Sequence, residues 1–308
     1  MSKVLVTGGA GFIGSHIVEE LLKEGHEVAI IDNFSTGKER NIKGLPIQIY
    51  NYDITDPSII PLIVEISPNY IIHQAAQVSV AESVQDILHD ENVNIKGSLH
   101  IIKAAITASV SKVLFASSAA VYGNPQNLPI TTEHLTSPES PYGLTKLTVE
   151  KYLKMANQLY GLSYGILRYS NVYGPRQDAK GEGGVISIFA DRINENKAPV
   201  IYGNGEQTRD FIFVKDVARA NIQALKQSDN LCVNISSNNS ISINQLWEQM
   251  VSIASVSLQP YYETKRSGDI MHSLLSNRET IKTLDWQPKT ILEKGLRETL
   301  FYSGKVLQ

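Results

Sequence analysis

The chain has 308 residues, 42% of them hydrophobic and 19% charged, with a formal net charge of −3. This is an ordinary globular composition, with enough material for a sizeable core in one large α/β domain or two modest ones. The mild acidity and the lack of a basic block leave no footprint for nucleic acid, and no apolar run approaches bilayer-spanning length.

Met1-Ser2-Lys3 runs straight into Val4-Leu5-Val6, without the charged and apolar regions of a secretory signal. The cytoplasm is therefore the default compartment. Cys232 is the only cysteine, which excludes intrachain disulfides and a Cys-rich zinc site. It reads as a small core residue in a strand, Leu231 to Ile235. The seven histidines show no metal-ligand spacing, and no metal is expected.

In chain order, Lys3 to Thr7 reads as a strand. Gly8-Gly9-Ala10-Gly11-Phe12-Ile13-Gly14 follows, then a helical pattern through Ile17, Leu21 and Leu22 that Gly25-His26 ends. Glu27 to Ile31 is the next strand, closed by Asp32-Asn33. Strand, glycine turn, helix, strand and acid in this order form a dinucleotide-binding unit. One glycine permits the tight turn, one lets the backbone approach a pyrophosphate, and one lets helix and strand pack closely. Amides at the helix N-terminus face the phosphates. Asp32 suits the adenine-side ribose hydroxyls and repels a 2′-phosphate, which favours NAD over NADP; it also suits capping of the following turn.

The alternation continues. Pro46 to Tyr52 reads as a strand ending at Asp53-Ile54. Asp56 is expected to cap a helix through Leu62 and Ile66, with Pro57 in its first turn. Tyr70 to His73 is a strand, Ser83 to Ala108 one long helical stretch, and Lys112 to Ala116 a strand leading into Ser117-Ser118. Asn124 to Pro141 reads as irregular, Tyr142 to Leu159 as a helix and Leu162 to Arg168 as a strand. Repeated strand–helix units imply a Rossmann-type doubly wound parallel sheet with both faces covered. Ligands of such sheets sit at the carboxyl ends of the strands, so Asp32, Asp53, Ala75-Ala76 and Ser118 should converge on one crevice.

After Tyr169 the rhythm breaks. Arg176 to Gly184 reads as a mobile glycine-rich loop and Gly203 to Glu206 as a hairpin-like turn. Asp210 to Val214, followed by a helix from Asp216 to Lys226, reads as a return to the main sheet. Ser242 to Ile253 and Arg278 to Leu284 read as helices of a smaller C-terminal lobe. The expected division is a cofactor domain of residues 1–168 with 211–237, and a substrate lobe of 169–210 with 238–308.

Tyr142 and Lys146 stand one helical turn apart in Ser140-Pro141-Tyr142-Gly143-Leu144-Thr145-Lys146. A lysine ammonium beside a phenol favours the phenolate, which can then act as a base nearer neutral pH. Such a pair alone is common on surface helices; its chemistry depends on the crevice around it.

The glycine spacing GxxGxxG resembles the extended branch of the short-chain dehydrogenase/reductase superfamily. Thr7 to Gly14, Asp32 to Gly37, Asp53-Ile54, His73 to Ala76, Ser117 to Gly123, Pro141 to Lys146, Leu167 to Gly174 and Arg209 to Asp216 extend that likeness along nearly the whole chain. Together they resemble the UDP-sugar 4-epimerases of its NAD-dependent epimerase/dehydratase group. The resemblance implies Ser118 as the catalytic hydroxyl, Tyr142 as the base and Lys146 as its partner, which also holds the nicotinamide ribose. It implies NAD contacts at Gly8, Gly11, Phe12, Ile13, Gly14, Asp32, Asn33, Ser35, Thr36, Gly37, Asp53, Ile54, Ala75 and Ala76. For the nucleotide sugar it implies Arg209 and Arg266 on the diphosphate, with Asn171, Asp269, Val185, Tyr202 and Ser273 around uridine, ribose and sugar.

Dehydratase-like members carry an Asp-Glu pair after the catalytic hydroxyl, and decarboxylases a glutamate at its second position. Ala119 and Ala120 stand there here. Small Ser273 is expected to leave room for a 2-acetamido group, so that UDP-N-acetylhexosamines enter as well as UDP-hexoses. Two other readings stay open: a UDP-hexuronic acid substrate, which calls for a carboxylate-binding arginine in the loop from Arg176, and a non-catalytic NAD-binding regulator. Family resemblance also implies a homodimer through the helices near Ser83–Ala108 and Tyr142–Leu159.

Overall fold

The computed structural model describes residues 1–179, 184–265 and 270–304. The first half alternates as the sequence implies: β1 (Lys3–Thr7), α1 (Phe12–Lys23), β2 (Glu27–Asp32), β3 (Gln48–Asn51), α2 (Ile59–Ile66), β4 (Tyr70–His73), α3 (Val80–Gln85), α4 (Ile87–Glu91), α5 (Ser98–Thr107), β5 (Lys112–Ser118), α6 (Pro141–Tyr160) and β6 (Ser163–Tyr169). The remainder comprises β7 (Asn171–Tyr173), α7 (Val185–Asn194), β8 (Val200–Tyr202), β9 (Thr208–Phe213), α8 (Val214–Lys226), β10 (Leu231–Ile235), β11 (Ser240–Ser242), α9 (Ile243–Ala254), β12 (Tyr261–Glu263), α10 (Arg278–Leu284) and α11 (Leu292–Ser303).

Seven parallel strands form the main sheet in the order β3-β2-β1-β4-β5-β6-β10. Strand order reverses between β1 and β4, and a crevice opens at the carboxyl ends of such a pair. Alternate residues of β1 serve opposite faces: Val4 and Val6 join Ile17, Leu21 and Val217 on one side, and Leu5 joins Ile59, Ile63, Ile101 and Leu153 on the other. A third core, around Tyr173, Phe189, Trp247, Met250 and Leu296, joins α7, α9 and α11 to β7 and β9. Cys232 is partly buried and packs on the second core. No helix among the described residues is long and apolar enough to cross a membrane.

Four local expectations are corrected. Helix α2 begins at Ile59, because Asp56 caps a preceding turn: its carboxylate accepts from Ser58 N at 2.8 Å and its carbonyl from Ile59 N. The single helix expected over 83–108 is instead α3, α4, a π-helical stretch Asn92–Gly97 and α5. A Cβ on Gly97 would stand 2.7 Å from Ile54 Cδ1, so the backbone here comes close to the strand-end loop. The turn at 203–206 is no hairpin: β8 pairs in parallel with β12, while β9 pairs with β7 and β11. Strand β9 therefore lies in a separate three-stranded sheet, and β10 makes the return to the main sheet. Turn residues fix only the local reversal; the partner of each strand is set by long-range packing.

Candidate active site

At the β1–β4 switch lies a cavity of about 450 Å³. Gly8, Gly11, Phe12, Ile13, Gly14, Asp32, Asn33, Ser35, Thr36, Asp53, Ile54, Ala75 and Ala76 line it, so most residues expected at a cofactor are gathered there. Gly37 stands behind them; a Cβ on it would lie 2.6 Å from Asp32 Oδ1. The glycines have separate reasons. Gly8 has φ +69° and sits against Ala75 N, where a Cβ would come within 2.8 Å. A Cβ on Gly14 would meet Gly8 O at 2.0 Å. No side chain caps α1 at Gly11, so its first-turn amides remain for whatever occupies the cavity.

Asp32 is buried at the end of β2 and accepts from Ala10 N and Phe34 N, both at 2.9 Å. It thus caps its turn and lines the cavity together. Burial raises its pKa against the pull of those two amides. Burial also works to raise Asp53, but hydrogen bonds from Thr55 N, Thr55 Oγ1 and Asn33 Nδ2 outweigh it and leave that carboxyl below its ordinary value.

The Tyr142–Lys146 helix is well specified. Ser140 Oγ caps Gly143 N at 3.1 Å, Pro141 occupies the first turn, and Gly161 ends the helix with φ +72°. Gly143 is needed for contact: a Cβ there would lie 2.5 Å from Ala120 O, in the 3₁₀ turn Ala119–Tyr122 that follows Ser118. Helix α6 is thereby pressed onto the end of β5. Ser118 Oγ accepts from Ala120 N at 3.1 Å, a bond that leaves its own hydrogen to be donated elsewhere. Lys146 is 4% exposed, with Nζ 5.7 Å from the Tyr142 ring centre and 3.1 Å from Ala116 O. Burial lowers its pKa to about 8, and Asp90 opposes that fall. A buried ion pair, Arg168 with Glu150, braces the next turn of α6 against β6, and Ser117 Oγ donates to the same carboxylate at 2.6 Å.

Away from the main sheet, Asn171, Tyr202, Arg209 and Ser273 gather around β9. Asn171 Nδ2 donates to Asp210 O at 3.1 Å, Gln207 Nε2 to Tyr202 O at 2.8 Å, and Ser273 N to Thr208 O at 3.1 Å. Arg209 Nη1 donates to Thr208 O at 2.9 Å. Val185 opens α7 and packs on the core that contains Phe211. Arg266 and Asp269 lie outside the described residues, as do residues 180–183 of the loop expected to be mobile. Arg176, the start of that loop, donates to Ser15 Oγ at 3.0 Å and pairs with Glu19, so it is turned toward α1.

Sequence reasoning missed a polar layer behind the pair. Ser83 Oγ accepts from Tyr142 N at 3.2 Å. Gln77, Asp90, Asn94 and Thr145 are buried and mutually hydrogen-bonded. His73, its pKa lowered by burial and then by Lys146 to about 3, bridges Thr7 Oγ1 at 2.7 Å and Ser98 Oγ at 2.9 Å. His73 and Thr145 lie inside the stretches His73 to Ala76 and Pro141 to Lys146, and Gln77 directly follows the first; these were the available signals.

Residues 4–236 match the profile of the NAD dependent epimerase/dehydratase family. The sequence and fold are similar to those of the UDP-glucose 4-epimerase of Thermotoga maritima, solved with UDP-glucose: 40% identity, 97% of this chain and 98% of that one, TM-score 0.94. They are similar to the UDP-N-acetylglucosamine 4-epimerase of Methanobrevibacter ruminantium, solved with UDP-N-acetylmuramic acid: 38% identity, 98% and 97%, TM-score 0.93. The UDP-glucose 4-epimerase of Thermus thermophilus, solved with NAD, gives 37% identity over 99% and 100%, with a TM-score of 0.92.

Proposed function

Because the chain belongs to the NAD dependent epimerase/dehydratase family, we propose that it is a UDP-sugar 4-epimerase with tightly held NAD, acting on UDP-glucose and UDP-galactose and on their N-acetylated counterparts. The carrying observation is the buried Lys146 beside Tyr142, on a helix pressed by Gly143 onto the Ser118 turn.

The cavity fits NAD on its own chemistry. Gly8 and Gly14 let the turn fold tightly against Ala75 and on itself at the cavity wall, α1 starts uncapped there, and the Asp32 carboxylate lines the same cavity as an acceptor for ribose hydroxyls. Bound NAD would supply reversible hydride acceptance at C4 of the sugar. Tyr142 takes the proton of the C4 hydroxyl and later returns it, and Lys146 favours the phenolate that does so. Ser118 hydrogen-bonds the same oxygen. Arg209, Arg266, Asn171 and Asp269 hold the nucleotide while the 4-keto sugar turns over about its diphosphate link, and Val185 and Tyr202 border the uridine. Ala119 and Ala120 bring no carboxyl to this turn, which suits exchange at one carbon rather than elimination or decarboxylation.

Small Ser273 supports acceptance of the 2-acetamido group; Ser273→Tyr should abolish turnover of acetylated substrates selectively, and equal loss on both classes would sink that role. We assign the cofactor domain to 1–168 with 214–237 and the nucleotide-sugar lobe to 169–213 with 238–308, in place of the expected boundary at 211, because β9 pairs with β7 and β11 outside the main sheet. A homodimer is supported by an apolar stripe on α6, Leu144, Tyr152, Met155 and Leu159, beside exposed Val84, Ile87 and Leu88.

The test is incubation of the purified protein with UDP-glucose, UDP-N-acetylglucosamine or UDP-glucuronate, without added reductant. The C4 epimers of the first two should form. No epimer from any of the three defeats the proposal; an epimer from UDP-glucuronate alone moves the substrate to the uronic acid.

A further inference from the structure

Asp90 belongs to no stretch that carries the family resemblance, and it is fully buried near the end of α4. Its Oδ1 accepts from Gln77 Nε2 at 2.9 Å and Asn94 Nδ2 at 2.8 Å, and its Oδ2 accepts from Thr145 Oγ1 at 3.2 Å. Asn94 is locked to the Gln77 backbone in both directions, at 2.9 and 3.0 Å. Gln77 lines the cavity, and Thr145 immediately precedes Lys146. The helix is underwound into a π segment at the turn that presents Asn94, a distortion frequent at functional sites. These hydrogen-bond donors are neutral, and a buried carboxylate held only by neutral donors keeps its charge at a cost. The cation that acts on it is Lys146.

We propose that Asp90 is a positioning residue of the epimerisation: its hydrogen bonds to Thr145, Asn94 and Gln77 tie the reactive turn of α6 to the cavity wall and set a buried carboxylate against the residue that precedes Lys146. This rests on Tyr142 and Lys146 acting as base and partner. The surroundings of Lys146 single Asp90 out. His73 on β4 is held neutral by burial. Strand β5 offers the Ala116 carbonyl and the Phe115 ring. Glu150, the next turn of α6, is bound by Arg168 and Ser117. Tyr142 is the base itself. Burial pulls Lys146 down to about 8, and the Asp90 charge opposes the fall. Without that charge, Lys146 loses its proton at lower pH.

Asp90→Asn separates charge from scaffold. Thr145 Oγ1 also donates to Tyr142 O at 2.9 Å, so it can accept from the new amide and still spend its hydrogen. The NAD-loaded variant should keep its cofactor and melting temperature, while the alkaline limb of its kcat profile moves to lower pH by about one unit. The Lys146 resonance in ¹⁵N-lysine-labelled protein, assigned by its absence in Lys146→Met, should titrate at lower pH by the same amount. Asp90→Ser, smaller and still able to hydrogen-bond, gives the same two readouts if the first variant is poorly folded. Unmoved limbs and an unmoved resonance, or an equal loss of activity at every pH, overturn the inference. An inactive wild-type protein defeats the epimerase reading instead, and the resonance still reports on Asp90.

Discussion

Lys146 Nζ lies 5.7 Å from the centre of the Tyr142 ring and 3.1 Å from the carbonyl of Ala116, two residues before Ser118. One ammonium therefore spans from the helix carrying the base to the strand end carrying the hydroxyl. A lysine that answers to both elements fixes their spacing as well as the charge at the phenol. The Ala116 bond also stops the side chain from reaching out to water, which keeps its field near the ring.

The first prediction removes the phenol oxygen. Tyr142→Phe should retain NAD and bind UDP-sugar, because Ser140, Gly143 and Lys146 anchor α6 and are left in place. Turnover should fall by about 10² to 10⁴, the range lost with a general base. Absorbance of released cofactor and a coupled assay for the epimer read the two quantities. Turnover within tenfold of the parent removes Tyr142 from the base role.

The second concerns the cofactor turn. A methyl at Gly14 would meet Gly8 O at 2.0 Å, and the obstacle is backbone, which cannot swing aside. Gly14→Ala should be purified largely without NAD, with a stability loss of about 2 kcal/mol or more from the strained turn. Gly25→Ala serves as the control, since open space surrounds that position and only its φ of +78° is strained. Normal NAD content in Gly14→Ala would show that the turn is not the phosphate cradle.

Local chemistry made the first strand, glycine turn and helix legible. A tight turn needs glycine, and an amphipathic helix shows its period in Ile17 and Leu21. Helix α6 was legible because Ser140, Pro141 and Gly161 are stop and start signals in their own right. The polar layer was not, because its partners are far apart in sequence: Asp90 meets Gln77 across 13 residues and Thr145 across 55. Periodicity sees only neighbours, so the stretch holding Asp90 and Asn94 read as one continuous helix. The sheet of β9 was hidden for the same reason. An apolar strand looks alike whether it joins the main sheet or a separate one.

A third prediction follows from His73. Burial holds its pKa near 3, far below the usual 6.5. Between those values the unfolded chain binds a proton that the folded one refuses, so stability falls as pH drops below about 6.5. The loss approaches about 1.4 kcal/mol per pH unit for this group. Asp210, raised by burial to about 6, works the other way below that pH, since its folded form takes up a proton first. The comparison must therefore be with a variant. His73→Gln should lose stability at pH 7.5, through the disturbed bonds to Thr7 and Ser98, yet lose about 2 kcal/mol less than the parent between pH 6.5 and 5. Urea melts at the three pH values measure it, and parallel pH dependence in both proteins contradicts the assignment.

The last prediction concerns the outer face of α6. Leu144, Tyr152, Met155 and Leu159 recur at helical spacing on the side away from the sheet, and Leu159 is 65% exposed. Their neighbours Val84, Ile87 and Leu88 are exposed too, with Leu88 at 79%. An apolar patch contributed by three adjacent helices, α3, α4 and α6, is the form of a two-fold contact in which each copy covers the other. Met155→Lys combined with Leu159→Glu places charge in that contact without touching the inner face, where Leu153 and Ala156 pack on the core. Light scattering at micromolar concentration should give a dimer for the parent and a monomer for the double variant, with the far-UV spectrum unchanged. Because Tyr142 and Lys146 lie on the same helix, the monomer should also lose part of its turnover. A parent that is monomeric at that concentration, or a double variant that remains dimeric, rules out this face as the contact.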